Sequence, residues 1–79
     1  MATSKTFNGH KNWNHWNVSL WINNDEGLYR TALIHLKREA NKEDAAKEML
    51  YDLVDCGITH TPDGAPYSMT TIKAAMREM

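Results

Sequence analysis

At 79 residues the chain is one domain, near the size at which a single core just sustains a fold without disulfides or metal. Its 42% apolar content excludes a disordered tail, and its one cysteine, Cys56, excludes an intramolecular disulfide framework and fits a reducing cytoplasm. A formal net charge of −1 and a pI near 6.4 leave no general positive excess for non-specific nucleic-acid binding, so any DNA contact must come from a local patch.

Residues 1–6 are polar and expected to fray, with no signal-peptide core among them. No apolar run approaches the roughly 18 residues that span a bilayer, so a cytoplasmic protein without membrane partners is expected. From Asn12 onward Trp13, Trp16, Leu20 and Trp21 recur at helical spacing, and Asn12 or Asn14 can cap the start of the helix. That helix should end at Asn23 and Asn24, although a weak alternation over residues 17–22 leaves a strand open. Asp25 is the expected cap of a second helix whose inner stripe is Leu28, Ala32, Leu33 and Leu36, fading near Ala40. Asn41 caps a third, with Ala46, Met49, Leu50, Leu53 and Val54 inward, and Gly57 offers the left-handed residue that stops it, so that Ile58 folds back. The Pro62-Asp63-Gly64 run demands a turn, after which Ser68 caps a fourth helix with Ile72, Ala75, Met76 and Met79 inside. The fold class predicted is all-α, a compact bundle of about four short helices forming a single domain over residues 1–79.

With these elements placed, the segment from Phe7-Asn8-Gly9-His10 through Asn12 and His15-Trp16-Asn17-Val18-Ser19-Leu20-Trp21 resembles a family of small, largely uncharacterised proteins encoded by phages and other mobile elements. Its members typically read aromatic-Asn-Gly-Trp, then Asn, then Thr-Trp-Asn-Val-x-Leu-Trp, and Asn23-Asn24-Asp25-Glu26-Gly27-Leu28-Tyr29 also resembles the family. Here His10 stands where that pattern has Trp, and His15 where it has Thr. The resemblance implies a viral or mobile-element origin, and with it binding to a host protein or nucleoprotein complex. A shorter stretch, Gly57-Ile58, Thr61-Pro62-Asp63-Gly64 and Tyr67-Ser68-Met69-Thr70-Thr71-Ile72, is similar to part of the DNA-binding region of large serine recombinases, without their catalytic part.

The residues themselves offer two candidate surfaces. Asp44, Glu48, Asp52 and Asp55 fall at helical intervals along one face of the third helix, an anionic row suited to steering onto a basic partner surface. Should the second and third helices form a hairpin, Arg30 would approach Asp52 and Asp55, and Lys37 and Arg38 would approach Asp44 and Glu48, leaving weak exposed pairs. Thr70, Lys73 and Arg77 lie opposite the apolar face of the fourth helix, as the exposed side of a helix-turn-helix DNA reader requires. The Trp set reads as core, because such spacing in so short a chain usually marks the buried stripe, although Trp13 and Trp21 cannot both be central in it and one Trp facing outward is left open.

Chemistry is expected to be absent. His10 and His15 are five apart, off the spacing that presents two metal ligands on one helix face, so no metal or other cofactor is expected. Ser68, His60 and Asp63 share one turn with no oxyanion-hole signature, and Cys56 has no flanking cation to activate it. The expectation is a non-enzymatic protein that binds and inhibits a host protein or complex, a counter-defence inhibitor acting on a CRISPR effector being one form. A small DNA-binding regulator is the alternative.

Overall fold

The computed structural model describes residues 10–79, so the residues expected to fray lie outside the described ones. Within them the chain forms α1 (Trp13–Asn24), α2 (Glu26–Arg38), α3 (Lys42–Asp55) and α4 (Met69–Ala75), with α4 running into a 3-10 turn, Met76–Glu78. The architecture is the all-α bundle of four short helices read from the sequence. Residues 17–22 lie inside α1 and form no strand.

Each helix starts on a polar side chain that accepts an orphan backbone N–H. Asn12 accepts from His15, Asp25 from Leu28, Asn41 from Asp44 and Ser68 from Thr71. At Ser68 the exchange is reciprocal, since the Thr71 hydroxyl accepts the Ser68 N–H at 2.8 Å. Asp25 joins α1 to α2 by itself: its N–H donates to the Trp21 carbonyl while its side chain caps α2. At the end of α3, Ile58 N–H donates to the Leu53 carbonyl and Gly57 N–H to that of Val54. This doubled closure needs a left-handed residue, and Gly57 supplies it at φ +78°.

The helices close a ring of contacts, α1 on α2, α2 on α3, α3 on α4 and α4 back on α1. Its core is Val18 and Ile22 from α1, Ala32 from α2, Ala45, Ala46, Met49 and Leu53 from α3, and Ile72, Ala75 and Met76 from the end of the chain. Ala65 and Tyr67, from the long connection before α4, complete it. Leu28, Leu36, Leu50 and Met79 pack against this core from its edge.

Two inner faces differ from the sequence reading. None of Trp13, Trp16 and Trp21 is fully buried, and Trp13 remains 39% exposed. The buried residues of α1 are Asn17, Val18 and Ile22, a face turned by roughly a third of a turn from the expected Trp stripe. In α3, Val54 is 52% exposed because Met49 and Leu53 fix the inward direction, and Val54 lies about 100° away. No helix among the described residues is long and apolar enough to cross a membrane.

Candidate functional site

The rotation of α1 has a local cause in Asn17. Its Oδ1 accepts the Thr61 hydroxyl at 2.6 Å, and its Nδ2 donates to Asp63 Oδ2 at 2.9 Å. Trp21, one turn further on, donates its indole N–H to the same Asp63 oxygen at 2.9 Å. Thr61 in turn accepts the Ala65 N–H. A buried amide is costly unless paired, and the Thr-Pro-Asp-Gly turn pairs it. The turn closes through Gly64 N–H to the Thr61 carbonyl, and Gly64 takes φ +100°. Donation by the Asn17 amide and the Trp21 indole holds the Asp63 carboxyl below the ordinary carboxylate range. The two sequence stretches that carried resemblances are therefore one structural joint.

Beside this joint opens a groove of about 890 Å³. Trp21, Leu28, Leu53, Ile58, Pro62 and Tyr67 give it an apolar floor drawn from the end of α1, the start of α2, the end of α3 and the connection. Asp25, Asp52 and Asp55 stand among its lining residues, with Thr31, Cys56 and His60, and among the described residues no Lys or Arg lines it. Burial, and then the neighbouring Asp25 charge, push the Tyr67 phenol above its usual value.

The acidic row of α3 is thus divided. Asp52 and Asp55 reach the groove, whereas Asp44 and Glu48 do not line it. Asp44 instead takes part in the N-terminal cap of α3 through its backbone N–H. The basic partners expected across a hairpin are elsewhere. Arg30 bonds to Glu26 within α2 at 2.8 Å, and among the described residues Lys37 and Arg38 form no ion pair. The α2 residue that meets the row is His35, whose Nε2 lies 2.6 Å from Asp52 Oδ2. His35 is buried on the face of α2 that looks at α3, and Arg30 sits about 140° round the helix from it. Among the described residues, Asp44, Glu48 and Asp55 have no ion-pair partner.

Thr70, Lys73 and Arg77 come together in a second groove, of about 390 Å³, joined by Lys11, His15, Lys42 and Ala74. Burial, then the charges of Lys11, His10 and Arg77, hold the His15 imidazole below the usual histidine value. The helix carrying Thr70 and Lys73, α4, has 7 residues and follows the long connection over residues 56–68, while the tight corners join α1 to α2 and α2 to α3. Ser68, His60 and Asp63 each hydrogen-bond elsewhere, to Thr71, to Thr59, and to Asn17 with Trp21. Among the described residues no three His, Cys, Asp or Glu side chains cluster as a metal site requires.

Sequence reasoning missed the apolar floor and the contribution of Lys11, His15 and Lys42. Trp21, Asp25 and Leu28 had a signal, since they belong to the N-terminal motif, and Ile58 and Tyr67 had one in the second stretch, with Ile58 expected to fold back after Gly57. Residues 3–79 match a family described as a family of unknown function, DUF7249. No curated protein and no solved structure matches the chain.

Proposed function

We propose that this chain, which belongs to the DUF7249 family of unknown function, is a non-enzymatic binding domain that takes a basic, amphipathic segment of a partner protein into its acid-rimmed groove. The observation that carries the reading is Asp25, Asp52 and Asp55 standing over a floor of Trp21, Leu28, Leu53, Ile58 and Tyr67. Apolar floor with charged rim is the arrangement of protein-recognition surfaces: the floor supplies area and the rim supplies orientation and encounter rate. An amphipathic helix laid in such a groove would place apolar residues inward and Lys or Arg beside the three carboxylates.

The charge of the rim is also held against local stability. The last turn of α3 contains no basic residue and carries Asp52 and Asp55 at the negative end of the helix dipole. Asp52 is hydrogen-bonded to His35, whereas among the described residues Asp55 has no ion-pair partner. An unfavourable charge kept at a groove lip fits a residue with a task outside the fold. The similarity of the N-terminal motif to mobile-element proteins points to a host protein or nucleoprotein complex as the partner, and to inhibition of host defence, a CRISPR effector included, as the outcome.

Capture from host lysate, combined with protection of Cys56, tests this reading, because Cys56 is exposed at the groove. The expected result is one specific protein whose binding slows maleimide labelling of Cys56 and is lost in Asp55→Lys and Ile58→Glu, yet kept in Asp44→Lys. Capture that survives the first two substitutions and leaves Cys56 labelling unchanged would move the contact off this groove.

A further inference from the structure

The second groove is built at the opposite charge. Lys11 stands just before α1, His15 lies in its first turn, Lys42 opens α3, and Lys73 and Arg77 come from α4 and the turn after it. Cations separated by tens of residues in the sequence converge on one concave surface, in a chain whose net charge is −1. The convergence is therefore positional and does not follow from a basic composition. The starts of α1 and α3 add the positive ends of two helix dipoles to the same region.

Little of this charge is used internally. Lys42 Nζ donates to the Arg77 carbonyl at 2.8 Å, which spends one of its three hydrogens. Lys73 has Glu43 Oε1 at 3.9 Å, a loose contact between exposed groups, and among the described residues Lys11 and Arg77 have no ion-pair partner. Thr70 adds a hydroxyl, shared with Ser68 at 3.0 Å. Among the described residues no Trp, Tyr or Phe lines the groove, and the His15 imidazole is its one ring, so it lacks the run of stacking rings on which successive bases of a single strand are held. Nor does it present a long helix to the major groove, since α4 has two turns.

We infer that the groove formed by Lys11, His15, Lys42, Thr70, Lys73 and Arg77 binds the phosphodiester backbone of duplex DNA, with little sequence preference. Four of these side chains are full cations, and each phosphate they neutralise releases a condensed counterion. Affinity should therefore fall with salt with a logarithmic slope of roughly −3.6.

Fluorescence anisotropy of the full chain with a short labelled duplex, titrated from about 50 to about 200 mM salt, measures this directly. The duplex is expected to bind at low salt, equally for scrambled sequences, and more tightly than either of its single strands. Lys73→Ala with Arg77→Ala should halve the slope to roughly −1.8, and Lys11→Ala should lower it by about one, with circular dichroism showing each variant folded. Asp55→Asn, at the far groove, should leave the slope unchanged. Absence of binding at low salt by the folded protein would overturn the inference. So would a slope unmoved in the Lys73→Ala, Arg77→Ala variant, single strands binding as tightly as the duplex, or displacement of the duplex by ATP at equal phosphate concentration.

Discussion

Asp63 holds the turn to α1 through two donors that arrive from one helix face, the Asn17 amide and the Trp21 indole. The bonds favour its charged form, so the folded carboxyl titrates below the ordinary carboxylate value. Asp63 therefore contributes its stability in full above the unfolded carboxylate value of ~3.9 and loses it as pH falls through the lower folded value. Asp63→Ala should lower the urea midpoint at neutral pH and converge on the parent chain in acid. Equal loss at both pH values would show that packing, and not charge, carries the contact. Trp21 and Asn17 were visible in the sequence as members of a motif, but their partner lies more than forty residues away. Nothing in local spacing reports such a pairing.

The helices are where local chemistry is most legible. Asn41 begins α3 and Gly57 ends it, each for a reason that can be stated from the residue alone. The end of α3 is also where, if the acid-rimmed groove takes a partner as proposed, stability and recognition oppose each other. Replacing Asp55 by Asn removes a negative charge from the negative end of the helix dipole, and should stabilise the fold by about 0.3–1 kcal/mol at low ionic strength. The gain should shrink in high salt, because the interaction is exposed and screened. Thermal unfolding at two salt concentrations checks this, and the same variant should bind the groove's protein partner more weakly. The inner face of α1 shows the limit of element-scale reading. Periodicity places Trp13, Trp16 and Leu20 on one side of the helix, but it does not say that this side faces the core. The buried side is Asn17, Val18 and Ile22, because the tertiary partners of Asn17 make a polar residue acceptable there.

At the scale of the molecule, the bundle sets an acidic groove and a basic groove on different surfaces, with no lining residue in common. The ring of helices makes this separation possible: α3 offers Lys42 at its start to one and Asp55 at its end to the other. The two bindings should accordingly be separable. Lys73→Glu is expected to abolish DNA retention while leaving protein capture intact, and Asp55→Lys to do the reverse. Loss of both activities in either variant, with the fold preserved, would mean that the two surfaces act as one.

The number of helices, their caps, the Gly57 stop and the Pro62-Asp63-Gly64 turn are written in the chain itself, because each depends on backbone groups and dihedral preferences within a few residues. Asp52 and Asp55, and Lys73 and Arg77, are legible there too, since charge on a helix face is read directly. Packing alone settled which side of α1 is buried, that Arg30 turns to Glu26 while His35 meets Asp52, and that Lys11, His15 and Lys42 join Lys73 and Arg77. These outcomes rest on contacts between residues distant in the chain or on the direction a helix turns towards its neighbours. Their energies enter when the elements pack, and no local pattern encodes them.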